Sequence, residues 1–482
     1  MHWMGGNNKK GLCNNKLIDT RIGKILEGAQ SIDQAGFRSG FGCPDHLFTL
    51  GQLAEKAEEY QSSLWIAAVD FQKAFDSVEH SSIWASLSHL GVPSAYVRIL
   101  ASLYSSQTGE IITDRTSKCF PIRRGTKQGD PLSPKLFNSV LEIVMREIKC
   151  EWESKGYGLP TRAGCNLSNL RFADDILLIG KSKEEVQCML SSLAQASRRV
   201  GLQIHLGKTK ILTNVPEAER VGTGYVNVGA DKVDILPFEG AVMYLGRSFS
   251  FCNMHSEELR HRIARGWAKF HQFKSELCCR HIFLPDRLRL FEAVVTPSVL
   301  YACGTWTLTA DGERLLQGTQ RKMLRQIVRV GRRMEQQATA NLGDTSSSSS
   351  EDDSSEESED VNGVPGGEAE QQEPWLDWLR RWTHIAEGYA QRAKVSDWVR
   401  AQKKQSFLWA GHLARRTDGR WSHAVLTWTP EGGSRKVGHP KKRWIDSIKT
   451  FLHTHLGITD WIAAAADRET WARWAQEYAE KR

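Results

Sequence analysis

Asp70 closes the short apolar run Leu64-Trp65-Ile66-Ala67-Ala68-Val69, and Asp174-Asp175 stand between two further runs, Asn169 to Ala173 and Ile176 to Gly180. Three carboxylates gathered at one point repel one another unless hard cations bridge them, and such a cluster is the arrangement of two-metal phosphoryl and nucleotidyl transfer. Taken alone, Asp174-Asp175 reads more readily as a turn held by side-chain-to-backbone hydrogen bonds, and it is the surroundings that favour the cluster. Between the acids lies Arg123-Arg124-Gly125-Thr126-Lys127-Gln128-Gly129-Asp130-Pro131-Leu132-Ser133-Pro134. Its glycines permit close backbone approach, and a helix start favours anions; a plain loop-to-helix cap is the alternative. Gly207-Lys208-Thr209 ends like a phosphate-binding loop, but Gly201 is one residue too far upstream for G-x-x-x-x-G-K-T, so that reading is set aside.

These groups need elements to place them. Residues 64–69 are short, apolar and bounded by polar residues, which predicts a buried strand delivering Asp70 at its end. The runs around Asp174-Asp175 predict a hairpin with both acids at its tip. Leu136, Phe137, Val140, Leu141, Val144, Met145 and Ile148 keep helical spacing, with Ser133 expected as N-cap and Pro134 at the first helical position. Ser182 with Glu185 forms a capping box ahead of Val186, Met189, Leu190 and Leu193, and Gly201 can close that helix. Beyond residue 255 the sequence reads as basic amphipathic helices.

Composition bounds the function class. The 482 residues exceed one ordinary core, so more than one is expected. A mean hydropathy of −0.43, no apolar run of membrane-spanning length and no apolar leader in the first twenty residues point to an intracellular protein without membrane spans. Ten Cys without a C-x-x-C pair support neither a disulfide scaffold nor a zinc knuckle, and Cys278-Cys279 beside His281 reads as ordinary thiols on a helix. Residues 334–379 hold thirteen acids and no base, so the net charge of +8 conceals a remainder at +21, with sixty-four Lys and Arg against forty-three Asp and Glu. That surplus suits a polyanionic partner, nucleic acid ahead of a membrane surface. The Ser-rich acidic stretch from Ser346 to Asp360 has almost no apolar content and is expected to be disordered.

Six ordered segments carry a family resemblance. Phe71-Gln72-Lys73-Ala74-Phe75-Asp76 after Asp70, the run Gln128 to Pro134, and Phe172-Ala173-Asp174-Asp175 resemble motifs A, B and C of reverse transcriptases from non-LTR (LINE-type) retrotransposons. Gln34-Ala35-Gly36-Phe37-Arg38 resembles a fingers motif of that family, Gly201-Leu202 through Lys208-Thr209-Lys210 its motif D, and Tyr244-Leu245-Gly246 its motif E. The resemblance covers residues 17–330. Trp409-Ala410-Gly411-His412-Leu413-Ala414-Arg415 and Gly438-His439-Pro440-Lys441-Lys442-Arg443-Trp444 are similar to segments that follow the polymerase in such elements, although His439 stands where arginine is usual. The stretch Met1 to Lys16 does not resemble the expected fingers motif, so a frame truncated at the N-terminus is expected.

The resemblance implies that Asp70, Asp174 and Asp175 bind two Mg²⁺ or Mn²⁺ ions. Phe75 would be the steric gate against a ribose 2′-hydroxyl, with core packing as its alternative. Gln128 and Gly129 would line the nucleotide and template pocket. Arg38 and Lys208 would be the triphosphate cations, with plain surface charge as theirs. It further implies RNA-templated DNA synthesis from dNTPs on a DNA or RNA primer, without a membrane or small-molecule cofactor, in the nucleus where active. The fold implied is α+β: a right-hand polymerase with partial fingers over 1–60, a palm over 61–254 and a helical thumb over 255–335. An acidic linker over 336–374 and a mostly helical C-terminal segment over 375–482 complete the expected division. That segment holds eleven of the seventeen Trp; it is expected to bury most of them in a small core of its own and to bind RNA or DNA through a basic face. A catalytically inactive nucleic-acid-binding remnant and a group II intron maturase-like polymerase are the alternatives.

Overall fold

Strand periodicity builds the centre of the molecule. In the computed structural model, which describes residues 8–105, 107–110, 117–127, 129–162, 165–220, 222–332, 334–335, 371–430 and 441–481, one antiparallel sheet has the strand order Asn169–Phe172, Asp175–Gly180, Trp65–Val69, Lys210–Thr213. Trp65 lies opposite Gly180 and Thr213, and Val69 lies opposite Ile176. Side chains alternate across a strand, and here both faces are covered. Ala67 and Val69, with Ile176, Leu178 and Ile211, pack against Phe137, Val140 and Leu141 of helix Ser133–Ser154 and against Met189 and Leu190 of helix Lys183–Arg198. Ile66, Leu177, Ile179 and Leu212 face Leu47, Phe48 and Leu53 of helix Cys43–Glu59. A strand covered on both faces reads as an unbroken apolar run, which is why residues 64–69 carry no polar alternation.

The second face has more cover than helix Cys43–Glu59. Phe407, Trp421, Trp444, Phe451, Trp461 and Trp471 share its core. Five of the eleven Trp of the C-terminal segment are buried, and four of these, Trp421, Trp444, Trp461 and Trp471, lie in a core common with the sheet rather than in one of their own. The chain divides into two compact units, one of Met1–Arg265, Val299–Arg314 and Trp398–Arg482, the other of Gly266–Ser298 and Leu315–Asp397. The boundaries expected at 255, 335 and 375 do not coincide with these, because burial of residues from 398 onward groups them with the sheet and not with the helix just before them. That helix, Trp375–Arg392, belongs to the second unit, where Glu387 pairs with Arg321 at 2.6 Å and Thr383 Oγ1 accepts from Arg325 at 2.8 Å. Cys278, which follows the short helix Lys274–Leu277, is buried there as a free thiol. The acidic stretch 346–360 lies outside the described residues. No helix among the described residues is long and apolar enough to cross a membrane.

Two local expectations change. Ser133 is the first helical residue rather than the N-cap: its hydroxyl donates to Lys127 O at 2.6 Å, while Asp130 Oδ1 accepts from Leu132 N at 3.0 Å. Both bonds brace the loop before the helix, a use of short polar side chains that competes with capping. Ser182 does cap its helix, accepting from Glu185 N at 3.2 Å, but the Glu185 carboxylate accepts from Lys181 N rather than from Ser182 N.

Docking of the C-terminal segment leaves one titratable mark. Glu55 Oε2 accepts from Trp444 N at 2.8 Å. Burial pushes the Glu55 carboxyl up to about 7, although the hydrogen bonds from Trp444 and Gln52 act the other way. A raised folded-state pKa means that the stability contributed by the protonated group is complete below the ordinary Glu range and is lost as pH rises through about 7. Glu55→Gln keeps an acceptor for Trp444 and cannot ionise, so it should melt a few degrees above wild type at about pH 8.5, with the gap closing towards about pH 5. Thermal melts across that range test this; a Tm lowered equally at both ends would refute it.

Candidate active site

The hairpin that carries the acids turns on Ala173 and Asp174. Phe172 pairs with Asp175, so Asp175 already belongs to the returning strand and only Asp174 occupies the tip. Ala173 takes φ +57°, a left-handed conformation that is uncommon for a residue with a Cβ and needs outside support. The support is Gln34: its Oε1 accepts from both Ala173 N and Gly36 N at 2.9 Å. Ala35 N also donates to Arg171 O at 2.8 Å, laying residues 33–36 beside the hairpin. A Cβ on Gly36 would stand 2.4 Å from Ala173 N, so only glycine lets this segment lie so close.

Asp70 follows the last residue of its strand, one step beyond the Val69–Ile176 pair, and so comes alongside Asp175. Residues 203–209 brace it: His205 N donates to Asp70 O at 2.7 Å, and Asp70 N to Thr209 Oγ1 at 3.4 Å. The Lys208 Nζ stands 3.5 Å from Asp70 Oδ2, on a side chain 67% exposed. Burial raises the Asp174 carboxyl, and Asp70 raises it further. Burial also pushes Asp175 up to about 6, with help from Asp174 and Asp70. Asp70 is thus near enough to both other acids to oppose their ionisation.

Among the described residues, no group of three or more His, Cys, Asp and Glu side chains is drawn together tightly enough to enclose a metal. The donor chemistry nonetheless fits a hard cation. All three groups are oxygen donors, their charges oppose one another, and Asp70 Oδ2 is out of solvent yet accepts no hydrogen bond.

The other expected residues separate into those brought to the acids and those not. Phe75 stacks on Phe137, with centroids 4.5 Å apart, and meets the edge of Phe37 at 6.4 Å. It is half-buried, so one face packs while the rest lies open. Its carbonyl accepts from Thr126 N at 2.7 Å, which ties the Gly125-Thr126 loop to the residues after Asp70. Gly129 has φ +82° and open space where a Cβ would be. Gln128 lies outside the described residues. Arg38 is turned away from the acids: its Nη1 donates to Ser31 O at 2.6 Å and Gln34 O at 3.0 Å, and its guanidinium lies 4.2 Å over the Phe41 ring. Lys208 is therefore the expected cation found beside Asp70.

Three contributors stood in segments singled out from the sequence but were given no role there. Phe37 is 56% exposed with φ +57° and forms a wall for Phe75. Thr126 anchors the basic loop. Tyr244 is buried with its hydroxyl 3.1 Å from His46 Nδ1, and its own ionisation is opposed by burial and by Asp175, so it stays neutral beside the acids. Tyr244 was visible beforehand only as part of the motif E segment; its contact joins residues 198 apart.

Comparison with known proteins places this geometry. The family model described as reverse transcriptase (RNA-dependent DNA polymerase) matches residues 8–246. A transposon-derived protein of Caenorhabditis elegans is 29% identical over 318 residues, 64% of this chain and 95% of that protein. The Pol polyprotein of the type-2 retrotransposable element R2DM of Drosophila melanogaster is 32% identical over 195 residues, 40% of this chain and 18% of that polyprotein. The RNA-directed DNA polymerase from mobile element jockey of Drosophila funebris is 24% identical over 65% of this chain and 34% of its own length. The chain thus spans about a fifth to a third of these two retrotransposon proteins.

Proposed function

Residues 8–246 are a reverse transcriptase domain of the non-LTR retrotransposon kind, and from that premise we propose that this chain is an RNA-directed DNA polymerase that adds dNTPs to a primer 3′-end. The observation that carries the proposal is the meeting of Asp70 with Asp174 and Asp175 across adjacent antiparallel strands, where Asp70 opposes the ionisation of both partners. Reverse transcriptases use divalent metal ions, and Asp70, Asp174 and Asp175 are the residues that would hold two Mg²⁺ or Mn²⁺ here. Such ions, when bound, supply a lowered pKa at the primer hydroxyl and neutralise the leaving pyrophosphate.

The protein's own residues do the rest. Gln34 holds the Ala173-Asp174 turn rigid, so the carboxylates need no reorganisation as charge builds. Lys208, now leaning on Asp70, is the mobile cation that turns to the triphosphate when a nucleotide enters. Gly129 leaves room beside the basic loop for template and nucleotide. The partners would be an RNA template, a DNA or RNA primer and dNTPs. Extension of a primer on an RNA template by purified protein, beside an Asp174→Ala control, tests the reading; template-independent or absent incorporation in the wild-type protein would overturn it.

The Phe75 ring supports a role in sugar selection. With one face fixed on Phe137 and an edge against Phe37, it is a stiff wall rather than a floating side chain. Phe75→Val should lower the preference for dNTP over rNTP by at least about tenfold while reducing the dNTP rate far less, since discrimination is a ratio of kcat/KM values. Single-nucleotide kinetics with matched rNTP and dNTP decide the point. An unchanged ratio would make Phe75 a packing residue.

A further inference from the structure

The catalytic turn leans on Gln34, and the segment around Gln34 leans in turn on residues far outside the reverse transcriptase match. Asp33 and Asp45 bound a strap that runs past the hairpin. At one end, Trp421 Nε1 donates to Asp33 Oδ1 at 2.8 Å in a fully buried contact. Asp33 also receives Lys149 Nζ at 2.8 Å, and its backbone oxygen accepts from Arg171 N at 2.7 Å. At the other end, Arg420 Nη1 and Ser422 Oγ donate to the two oxygens of Asp45 at 3.2 and 3.0 Å, both buried. Arg420 further donates to Gly40 O at 2.6 Å and lies 3.5 Å over the Phe41 ring, which also carries Arg38. Three successive residues at the start of helix Trp421–Thr427 thus grip both ends of the strap whose middle, Gln34, holds Ala173 N.

We propose that Trp421 and Arg420 are positioning residues for nucleotidyl transfer, setting the Ala173-Asp174 turn through the Asp33–Asp45 strap. The contact chain is continuous and buried: indole to Asp33, Asp33 to Gln34 by the backbone, Gln34 amide oxygen to Ala173 N. Buried polar links of this kind act as a unit, because an unmade bond inside the protein leaves its partner without water to replace it. A turn residue held at positive φ is where slack would show first. The catalytic half of the proposal rests on the polymerase reading; the structural half does not.

The test uses the full chain and two readouts. Trp421→Phe keeps an aromatic ring and removes the indole donor together with part of a buried ring. It should speed amide exchange of peptides covering 33–36 and 170–176 by about tenfold, leaving those of Lys183–Arg198 unchanged, since exchange reports local opening. In primer extension it should lower kcat by at least about fivefold with primer–template affinity within about twofold, because a misplaced reacting geometry costs rate more than binding. Ser422→Ala, which deletes one hydroxyl at the far end of the strap, should act on the same peptides to a smaller extent and serves if Trp421→Phe fails to fold. Trp428→Phe is the control: Trp428 follows the same helix, and its indole donates to Pro160 O rather than to the strap. Exchange at 170–176 that is no faster in Trp421→Phe or Ser422→Ala than in Trp428→Phe overturns the proposal. A wild-type protein that extends no primer overturns the polymerase reading instead, and the exchange arms remain decisive.

Discussion

Asp70→Asn and Asp174→Asn are each expected to lower primer extension at least about a hundredfold while leaving primer–template affinity within about twofold, because these groups hold cations rather than phosphates. Stability supplies a separate reading. The Asp174 carboxyl is raised by burial and by Asp70, and that of Asp175 by burial, Asp174 and Asp70, so in metal-free protein at neutral pH their charges oppose folding. A raised folded-state pKa gives stability that is complete at low pH and lost as pH climbs through it. Removing one charge should therefore leave the Tm in EDTA at about pH 7.5 unchanged or slightly higher than wild type. A variant that is inactive, well folded and still binds template satisfies the assignment. An Asn variant keeping a tenth or more of wild-type extension would remove that residue from the metal-binding set, and a collapsed Tm would make its role one of folding.

The second large effect concerns residues beyond 397. Ending the chain there should abolish cooperative folding of the sheet-containing unit. Phe407, Trp421, Trp444, Phe451, Trp461 and Trp471 are all buried in the core cluster that also holds Phe48, Ile66, Leu177 and Ile179. Full burial of one large apolar side chain is worth roughly 1.5–3 kcal/mol, and domains are stable by only about 5–15 kcal/mol. Six such side chains amount to roughly 9–18 kcal/mol, as large as that whole margin even before the newly exposed partners are counted. Thermal melting by circular dichroism, with size-exclusion chromatography, checks this; a truncated protein that elutes as a monomer and melts cooperatively within a few degrees of wild type would show that the segment is an appendage. The consequence for nucleic-acid binding is direct. Removing the segment cannot isolate a salt-dependent phosphate contribution, since the polymerase unit would be damaged too. Charge-neutralising changes at exposed bases such as Lys441 in the intact chain are the usable form of that experiment, judged by the slope of log K on log salt.

What the sequence determined alone is what short range controls. Residues 64–69 are apolar without alternation because both faces of their strand are covered, and the run itself carries that information. The helix Ser133–Ser154 follows from its 3.6-residue spacing, and the hairpin from two apolar runs with polar residues between. Asp70, Asp174 and Asp175 were legible because each sits at the end of such an element and because their flanking residues match an ordered set of motifs. Even there, chemistry within a few residues misled: Ser133 looks like a cap and instead holds Lys127 O, since a hydroxyl with two local partners obeys whichever the loop brings closer.

What only the tertiary structure decided depends on pairs with no fixed spacing. Trp421 and Asp33 meet across 388 residues, and Arg420 and Asp45 across 375. Nothing in a local pattern distinguishes a tryptophan that packs in its own helical cluster from one that covers a distant sheet, because both bury the same ring at the same helical spacing. Arg38 shows the same limit from the other side. Its motif suggested a phosphate ligand, but the loop folds so that Ser31 and Gln34 carbonyls and the Phe41 ring take up the guanidinium. Which partner a charged side chain keeps is settled by competition among groups that folding alone brings within reach, and that competition has no one-dimensional signature.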